Sequence, residues 1–249
     1  MLIQDTRAIV SGGASGLGLA VAELVVAAGG KVALFDVNDQ AGVDAVRKLG
    51  PAASFHKVDV TVESAVAAAV AAAITAMGGL NLAVSCAGVG WPKRMVGKEG
   101  TMPGDFFRKV IEINLVGTLL LCKEAAAAMQ QNTPNAAGER GALVMTASVA
   151  AYDGQIGQVA YAASKGGVVG MTLPMARELA SSGIRVVTIA PGLFMTPMLA
   201  ALPQEARDSL GKQVPCPPRL GQPAEYAQLV GQIVENPMLN GETIRLDGA

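Results

Sequence analysis

From residue 6 to about residue 189, short β-branched runs alternate with longer alanine-rich runs of helical periodicity. That alternation is the signature of strand–helix–strand units, which feed a parallel sheet. The predicted strands are Ala8–Val10, Lys31–Phe35, Ser54–Val58, Leu82–Ser85, Ala142–Thr146, Arg185–Ile189 and Glu242–Arg245. Most have no polar side, so both faces of the sheet must be covered by helices. The expectation is an α/β protein with a doubly wound, seven-stranded parallel sheet in one domain spanning residues 1–249. In such a sheet ligands bind beyond the carboxyl ends of the strands, so the chemistry is sought just after each strand.

Two stretches interrupt the pattern. Trp91 to Gly104 is rich in Gly, Lys and Arg; Pro191 to Pro223 is rich in Pro, with a short helix predicted over Gln204 to Gly211. Both are read as loops at the ligand end, because long loops in a compact domain usually cover or bind something. Composition narrows the classes further. A formal charge of −1 and no Lys/Arg block argue against nucleic acid as a partner. The apolar run Val66 to Ile74 is far short of the ~20 residues that cross a bilayer and reads as a buried helix, so no membrane role is expected. Asp5 and Arg7 leave no room for a secretion signal. Cys86, Cys122 and Cys216 are widely spaced and odd in number, which predicts reduced thiols in a cytoplasmic setting and no zinc site. His56 is the only histidine, so no metal site and no histidine-based triad is expected. The 51% hydrophobic content leaves apolar faces that suggest self-association.

The segment Ser11-Gly12-Gly13-Ala14-Ser15-Gly16-Leu17-Gly18 follows the first predicted strand and opens a helix. In that context Gly12, Gly16 and Gly18 permit a tight turn and close backbone approach to a pyrophosphate at a helix N-terminus. Asp36 ends the second strand, where a carboxylate can bond both ribose hydroxyls of NAD and would repel a 2′-phosphate. No Lys or Arg lies between Ser11 and Ala28 or directly after Asp36, so NAD is expected rather than NADP.

Tyr161 and Lys165 are four residues apart in a helical segment, so they emerge from one face, one turn apart. Ser148 is read as ending the preceding strand. A phenol is a poor base at neutral pH; a nearby ammonium and a cationic nicotinamide both favour phenolate, and a drop of roughly three pH units needs ~4 kcal/mol. The expectation is a lowered Tyr161 pKa. Tyr161 would then exchange a proton while Ser148 holds the substrate oxygen.

With these residues in place, the chain resembles the short-chain dehydrogenase/reductase family over essentially its whole length, with the NAD-binding Rossmann fold that this implies. Ser11 stands where the family has Thr, and Cys86-Ala87-Gly88 stands for its Asn-Ala-Gly, without the usual Asn contact. Asn114 matches the helix asparagine that holds a water on the active-site lysine. Within the family, the stretches Ala147 to Ala150, Gln155 to Gly167, Ile189 to Pro197 and Arg219 to Asp247 resemble type II 3-hydroxyacyl-CoA dehydrogenases, a group also known for oxidising hydroxysteroids. The resemblance implies NAD contacts at Ser15, Leu17, Asp36, Asp59, Val60, Cys86, Ala87, Gly88, Tyr161, Lys165, Pro191, Gly192, Phe194 and Thr196. It implies substrate contacts at Ser148, Gln155 and Tyr161, and a homotetramer. Lys93, Arg94 and Lys98 are candidates for coenzyme A phosphates, and Leu193, Phe194, Met195, Met198 and Leu199 for a lid over an acyl chain or steroid. The runs Ala125 to Ala128 and Ala160 to Ala163 are candidate interface faces. A hydroxysteroid or other secondary-alcohol dehydrogenase, a 3-oxoacyl-carrier-protein reductase and a non-catalytic NAD sensor or scaffold stay open as alternatives.

Overall fold

Seven strands form one sheet in the order β3-β2-β1-β4-β7-β8-β9, with every neighbouring pair parallel. They are β1 (Arg7–Ser11), β2 (Lys31–Asp36), β3 (Ala53–Lys57), β4 (Leu82–Ser85), β7 (Gly141–Thr146), β8 (Ile184–Pro191) and β9 (Thr243–Leu246). The order turns back at β1 and β4, which makes the crevice beyond their ends the switch point of a doubly wound sheet. The structure is a computed structural model and describes residues 1–98, 100–200 and 203–249, apart from the Met198 side chain.

Helices follow the strands up to β8 and divide between the two faces. On one face α1 (Gly16–Ala27), α2 (Asp39–Leu49) and α9 (Pro223–Glu235) bury Val21, Ala45 and Val230 against Val10, Leu34 and Val144. On the other, α3 (Glu63–Met77), α5 (Gly117–Met129) and α6 (Val159–Leu179) bury Val66, Leu121 and Val168 against Ile9, Leu143 and Met145. Alternate residues of each strand thus serve opposite cores, as the pleat requires. Local chemistry sets the helix limits. The Asn38 side chain accepts the Ala41 amide at 3.1 Å to start α2, and Pro223 opens α9 while Glu225 accepts the Gln222 amide at 2.7 Å.

Three expectations are corrected. The stretch Trp91 to Gly104 is not a plain loop: β5 (Val96–Gly97) and β6 (Gly100–Thr101) pair in a small hairpin ahead of α4 (Gly104–Ile111). The alanine run in α3 is not a buried helix, because Val66, Ala69, Val70 and Ala73 face the core while Ala68, Ala71 and Ala72 are exposed. Ser148 does not end β7; that strand stops at Thr146, and Ser148 caps a short 3-10 turn over Val149–Ala151. The segment after β8 holds α7 (Pro197–Ala200) and α8 (Gln204–Gly211), the latter at its predicted limits. No helix among the described residues is long and apolar enough to cross a membrane.

Candidate active site

The glycine loop between β1 and α1 lies directly on the end of β4. Gly12 has φ +64°, and a Cβ there would sit 2.8 Å from the Ala87 nitrogen; one on Gly18 would sit 2.3 Å from the Gly12 oxygen. Only glycine gives this turn its sign and its closeness. The Ser11 hydroxyl accepts the Ala87 amide at 3.3 Å, so it ties the loop to Cys86-Ala87-Gly88. Ser15 precedes α1 without capping it through its side chain, which leaves the first-turn amides and the positive end of the helix dipole directed at the cleft. Leu17 packs into the α1–α9 core.

Asp36 leans over this loop from the end of β2, accepting the amides of Ala14 at 3.2 Å and Asn38 at 3.0 Å. Lys57 pairs with Asp36 in strand register, but its amine is turned to Asp39 at 3.6 Å. Asp59 accepts both the hydroxyl and the amide of Thr61, at 2.7 and 2.9 Å, and these bonds hold its carboxyl below the usual value. Val60 is buried where α5 begins, so close that a Cβ on Gly117 would meet it at 2.7 Å. Beyond β8, the Gly192 amide bonds the Leu246 carbonyl at 3.0 Å, and the buried Phe194 ring covers Gly221. Thr196 and Pro197 then reach the glycine loop, with the Pro197 Cδ 3.4 Å from the position of a Cβ on Gly16. A glycine-rich loop, helix amides without a side-chain cap and a carboxylate at the second strand fit a dinucleotide: pyrophosphate at α1 and adenosine ribose at Asp36.

The second half of the site lies at the ends of β4 and β7. Lys165, buried on α6, crosses to the end of β7 and donates to the Thr146 carbonyl at 2.7 Å. Burial pushes its pKa from 10.5 down to about 8, so at neutral pH the amine still holds its proton for most of the time. Tyr161 lies one turn earlier, its ring centroid 5.8 Å from the Lys165 amine. Burial raises the Tyr161 phenol, against a lowering from a hydrogen bond with Ser148. The protein's own groups leave Tyr161 a phenol, because desolvation outweighs the Ser148 hydrogen bond; the expected depression needs the charge of a bound nicotinamide as well. The Ser148 hydroxyl also accepts the Ala150 amide at 3.1 Å, which fixes its rotamer.

Asn114 sits in a π-helical turn, Glu112–Val116, between α4 and α5. Its side chain is fully buried and clamps Val89, accepting from the amide at 2.8 Å and donating to the carbonyl at 2.9 Å. It also donates to the Ser164 hydroxyl at 3.0 Å, and its own carbonyl accepts from Thr118 at 2.8 Å. Asn114 therefore reaches Lys165 through its neighbour Ser164 and not by direct contact. Gln155 is exposed in the turn before α6, its amide bonded to the Gln158 side chain at 2.8 Å. The short chain dehydrogenase family profile matches residues 6–207. The chain belongs to the short-chain dehydrogenase/reductase family.

Among this dehydrogenase's relatives, the human 3-hydroxyacyl-CoA dehydrogenase type-2 is 51% identical over 99% of this chain and 95% of its own length. The protein of that name from Drosophila melanogaster is 50% identical over 100% of this chain and 98% of its own. The crystal structure of the Mycobacterium avium 3-hydroxyacyl-CoA dehydrogenase type-2 superposes with a TM-score of 0.93 at 43% identity, covering 99% of this chain and 96% of that one. The chain is accordingly an oxidoreductase of the family, and the family uses a nicotinamide dinucleotide.

Around the mouth of the site, Lys93 is anchored on the turn before α6, its amide donating to the Gly157 carbonyl at 2.8 Å while its amine lies 5.6 Å from the Phe106 ring centroid. Arg94 and Lys98 are exposed on the hairpin. Trp91, Met95, Val96 and Ile156 are exposed apolar neighbours in the same segments. Of the lid candidates, Phe194 is buried, Leu193, Met195 and Leu199 are half-buried, and the Met198 side chain lies outside the described part. Sequence reasoning missed two polar groups beneath the site. Thr146 and Tyr226 share a hydrogen bond of 2.7 Å next to the Cys86 thiol, whose pKa is raised by burial. The available signal was strand alternation, which turns Thr146 and Cys86 toward the α9 face.

Proposed function

We propose that this dehydrogenase interconverts (S)-3-hydroxyacyl-CoA and 3-oxoacyl-CoA with NAD, within fatty acid metabolism, as a cytoplasmic homotetramer. The observation that carries the reading is the grouping of buried Ser148 and Lys165 with half-buried Tyr161 beside the glycine cradle. The relatives' name supports the acyl-CoA substrate, the Asp36 carboxylate over the loop supports NAD, and the three free thiols support a reducing compartment.

The dinucleotide would be held by the glycine loop, Asp36, Asp59, Val60 and the segment Pro191 to Thr196, and would supply the hydride acceptor and a positively charged ring. Ser148 donates a hydrogen bond to the substrate oxygen, and the Tyr161 oxygen accepts the hydroxyl proton as the carbonyl forms. Lys165 keeps an ammonium next to Tyr161. Burial alone leaves the phenol protonated, so Tyr161 becomes a base only when positive charge is brought to its open side; this couples proton removal to cofactor binding. Asn114, by fixing Val89 and Ser164, holds the end of β4 against α6.

The test follows NADH absorbance with a panel of (S)-3-hydroxyacyl-CoA, hydroxysteroid and simple secondary alcohols, with NADP as control. The highest kcat/KM is expected for acyl-CoA with NAD. A preference for an uncharged steroid would move the function to hydroxysteroid oxidation, and a preference for NADP would overturn the role of Asp36.

A further inference from the structure

Behind the cleft, on the α9 side of the sheet, the hydroxyls of Thr146 and Tyr226, neither of them among the implied cofactor or substrate contacts, meet beside the Cys86 thiol. Strand alternation brings them together. Leu143 and Met145 of β7 face the α5–α6 core and Val144 faces the α9 core, so Thr146 turns toward α9. By the same count along β4, Ser85 turns to α5, where it meets the Thr118 hydroxyl at 2.9 Å, and Cys86 turns to α9. Tyr226, on the first turns of α9, is completely buried and brings its hydroxyl to both, 2.7 Å from the Thr146 hydroxyl and 3.7 Å from the Cys86 sulfur.

A phenylalanine and a valine would fill the same volumes without burying two hydroxyls. Buried polar groups cost stability unless they are paired, and paired they specify one arrangement where an apolar contact would tolerate several. The arrangement specified here is that of one residue, Thr146. Its hydroxyl is held from the α9 side, and its carbonyl accepts the Lys165 amine from the α6 side at 2.7 Å. Burial lowers the Lys165 pKa to about 8, and the Thr146 carbonyl is the hydrogen-bond acceptor that the structure gives its amine.

We propose that Tyr226 is a positioning residue for Lys165, acting through Thr146: its hydroxyl locks the last residue of β7 so that the Thr146 carbonyl points at the amine. Tyr226 touches neither substrate nor reacting atoms; it sets the acceptor that keeps the ammonium in place. The activity arm of the test rests on the catalytic reading above, and the titration arm does not.

The full chain is labelled with 13C-lysine, Lys165 is identified by the signal lost in Lys165→Met, and its titration is followed by NMR in the parent, Tyr226→Phe, Thr146→Val and Thr146→Ser. Loss of either hydroxyl in Tyr226→Phe or Thr146→Val is expected to move the Lys165 titration to lower pH by about half a pH unit or more, while Thr146→Ser keeps it. The acid limb of kcat against pH should be displaced in the same two variants, with kcat falling by about tenfold. Ile233→Val, equally buried on α9, is the packing control: it lowers Tm and leaves both profiles unchanged. Parent titration in Tyr226→Phe and Thr146→Val overturns the proposal, as does an equal displacement in Ile233→Val. If Tyr226→Phe does not fold, Thr146→Val against Thr146→Ser decides, and a displacement in the serine variant alone counts against it. A parent that oxidises no substrate refutes the function and leaves the titration result standing.

Discussion

At the scale of single residues, Lys165 shows how much the site costs the fold. Its pKa falls from 10.5 to about 8 on burial at 5% exposure, which corresponds to roughly 3 kcal/mol of penalty for keeping it charged inside. The sign is set by the proton count. Between pH 8 and 10.5 the unfolded chain holds this proton and the folded chain has released it, so rising pH stabilises the fold through that window and the penalty is complete below it. Lys165→Met removes this dependence. Relative to that variant, the parent should gain roughly 3 kcal/mol between pH 7 and pH 10.5 in urea unfolding; a constant difference would mean that the amine titrates at its ordinary value. Tyr161→Phe probes the neighbouring group by a different route. It keeps the ring and removes the oxygen, so kcat should drop by about 100-fold or more with dinucleotide affinity retained. Turnover within tenfold of the parent would refute the proton-transfer role.

At the scale of elements, the proposed contact with the acyl-CoA phosphates falls on the hairpin of β5 and β6 and the arm that leads into it. The Lys93 amide is bonded to the Gly157 carbonyl, so the hairpin arm and the turn carrying Gln155 are joined. A second tie comes from β9, where Arg245 bonds Asp153 at 2.6 Å and lies 5.6 Å from the Tyr152 ring centroid. Reversing charge at Lys93, Arg94 and Lys98 together should raise KM for acyl-CoA by about tenfold and leave KM for an uncharged steroid unchanged, because exposed charges contribute up to about 1 kcal/mol each. Equal effects on both substrates would exclude the phosphate contact. The hairpin was not legible beforehand: two-residue strands carry no period, and Gly97 and Gly100 read as loop. The seven sheet strands were legible to within a few residues at each end, since long apolar runs between helices have few other readings. The α3 error has the opposite cause, as alanine is apolar enough to look buried and small enough to remain at the surface. Glycine loop, Asp36, Ser148, Tyr161 and Lys165 were all visible as residues. What stayed hidden was their electrostatics, because the burial that raises the Tyr161 phenol is set by the folded surroundings and not by residue spacing.

At the scale of the whole molecule, the alanine runs first read as an interface turn out to be divided between two uses. Ala125, Ala126 and Ala160 are buried within the chain, whereas Ala127 and Ala163 face outward. The outward stripe of α6 continues through Gly166, Gly170 and Leu173, and a Cβ at either glycine would meet nothing. On α5 the corresponding stripe holds Leu119, Lys123 and Ala127. Small residues at helical spacing let a second helix approach closely, and exposed leucines at the ends give that approach a hydrophobic return. The inner side of α6 carries Tyr161 and Lys165, so a contact across its outer side would stiffen the helix that positions the proton donor. Sedimentation is expected to show self-association of the 25.2 kDa chain, and the count of four in one particle rests on the family resemblance. Gly170→Arg combined with Leu173→Glu should break it into smaller species with reduced turnover and native circular dichroism. A parent that sediments as a monomer at full activity would remove both the assembly and its proposed support of α6.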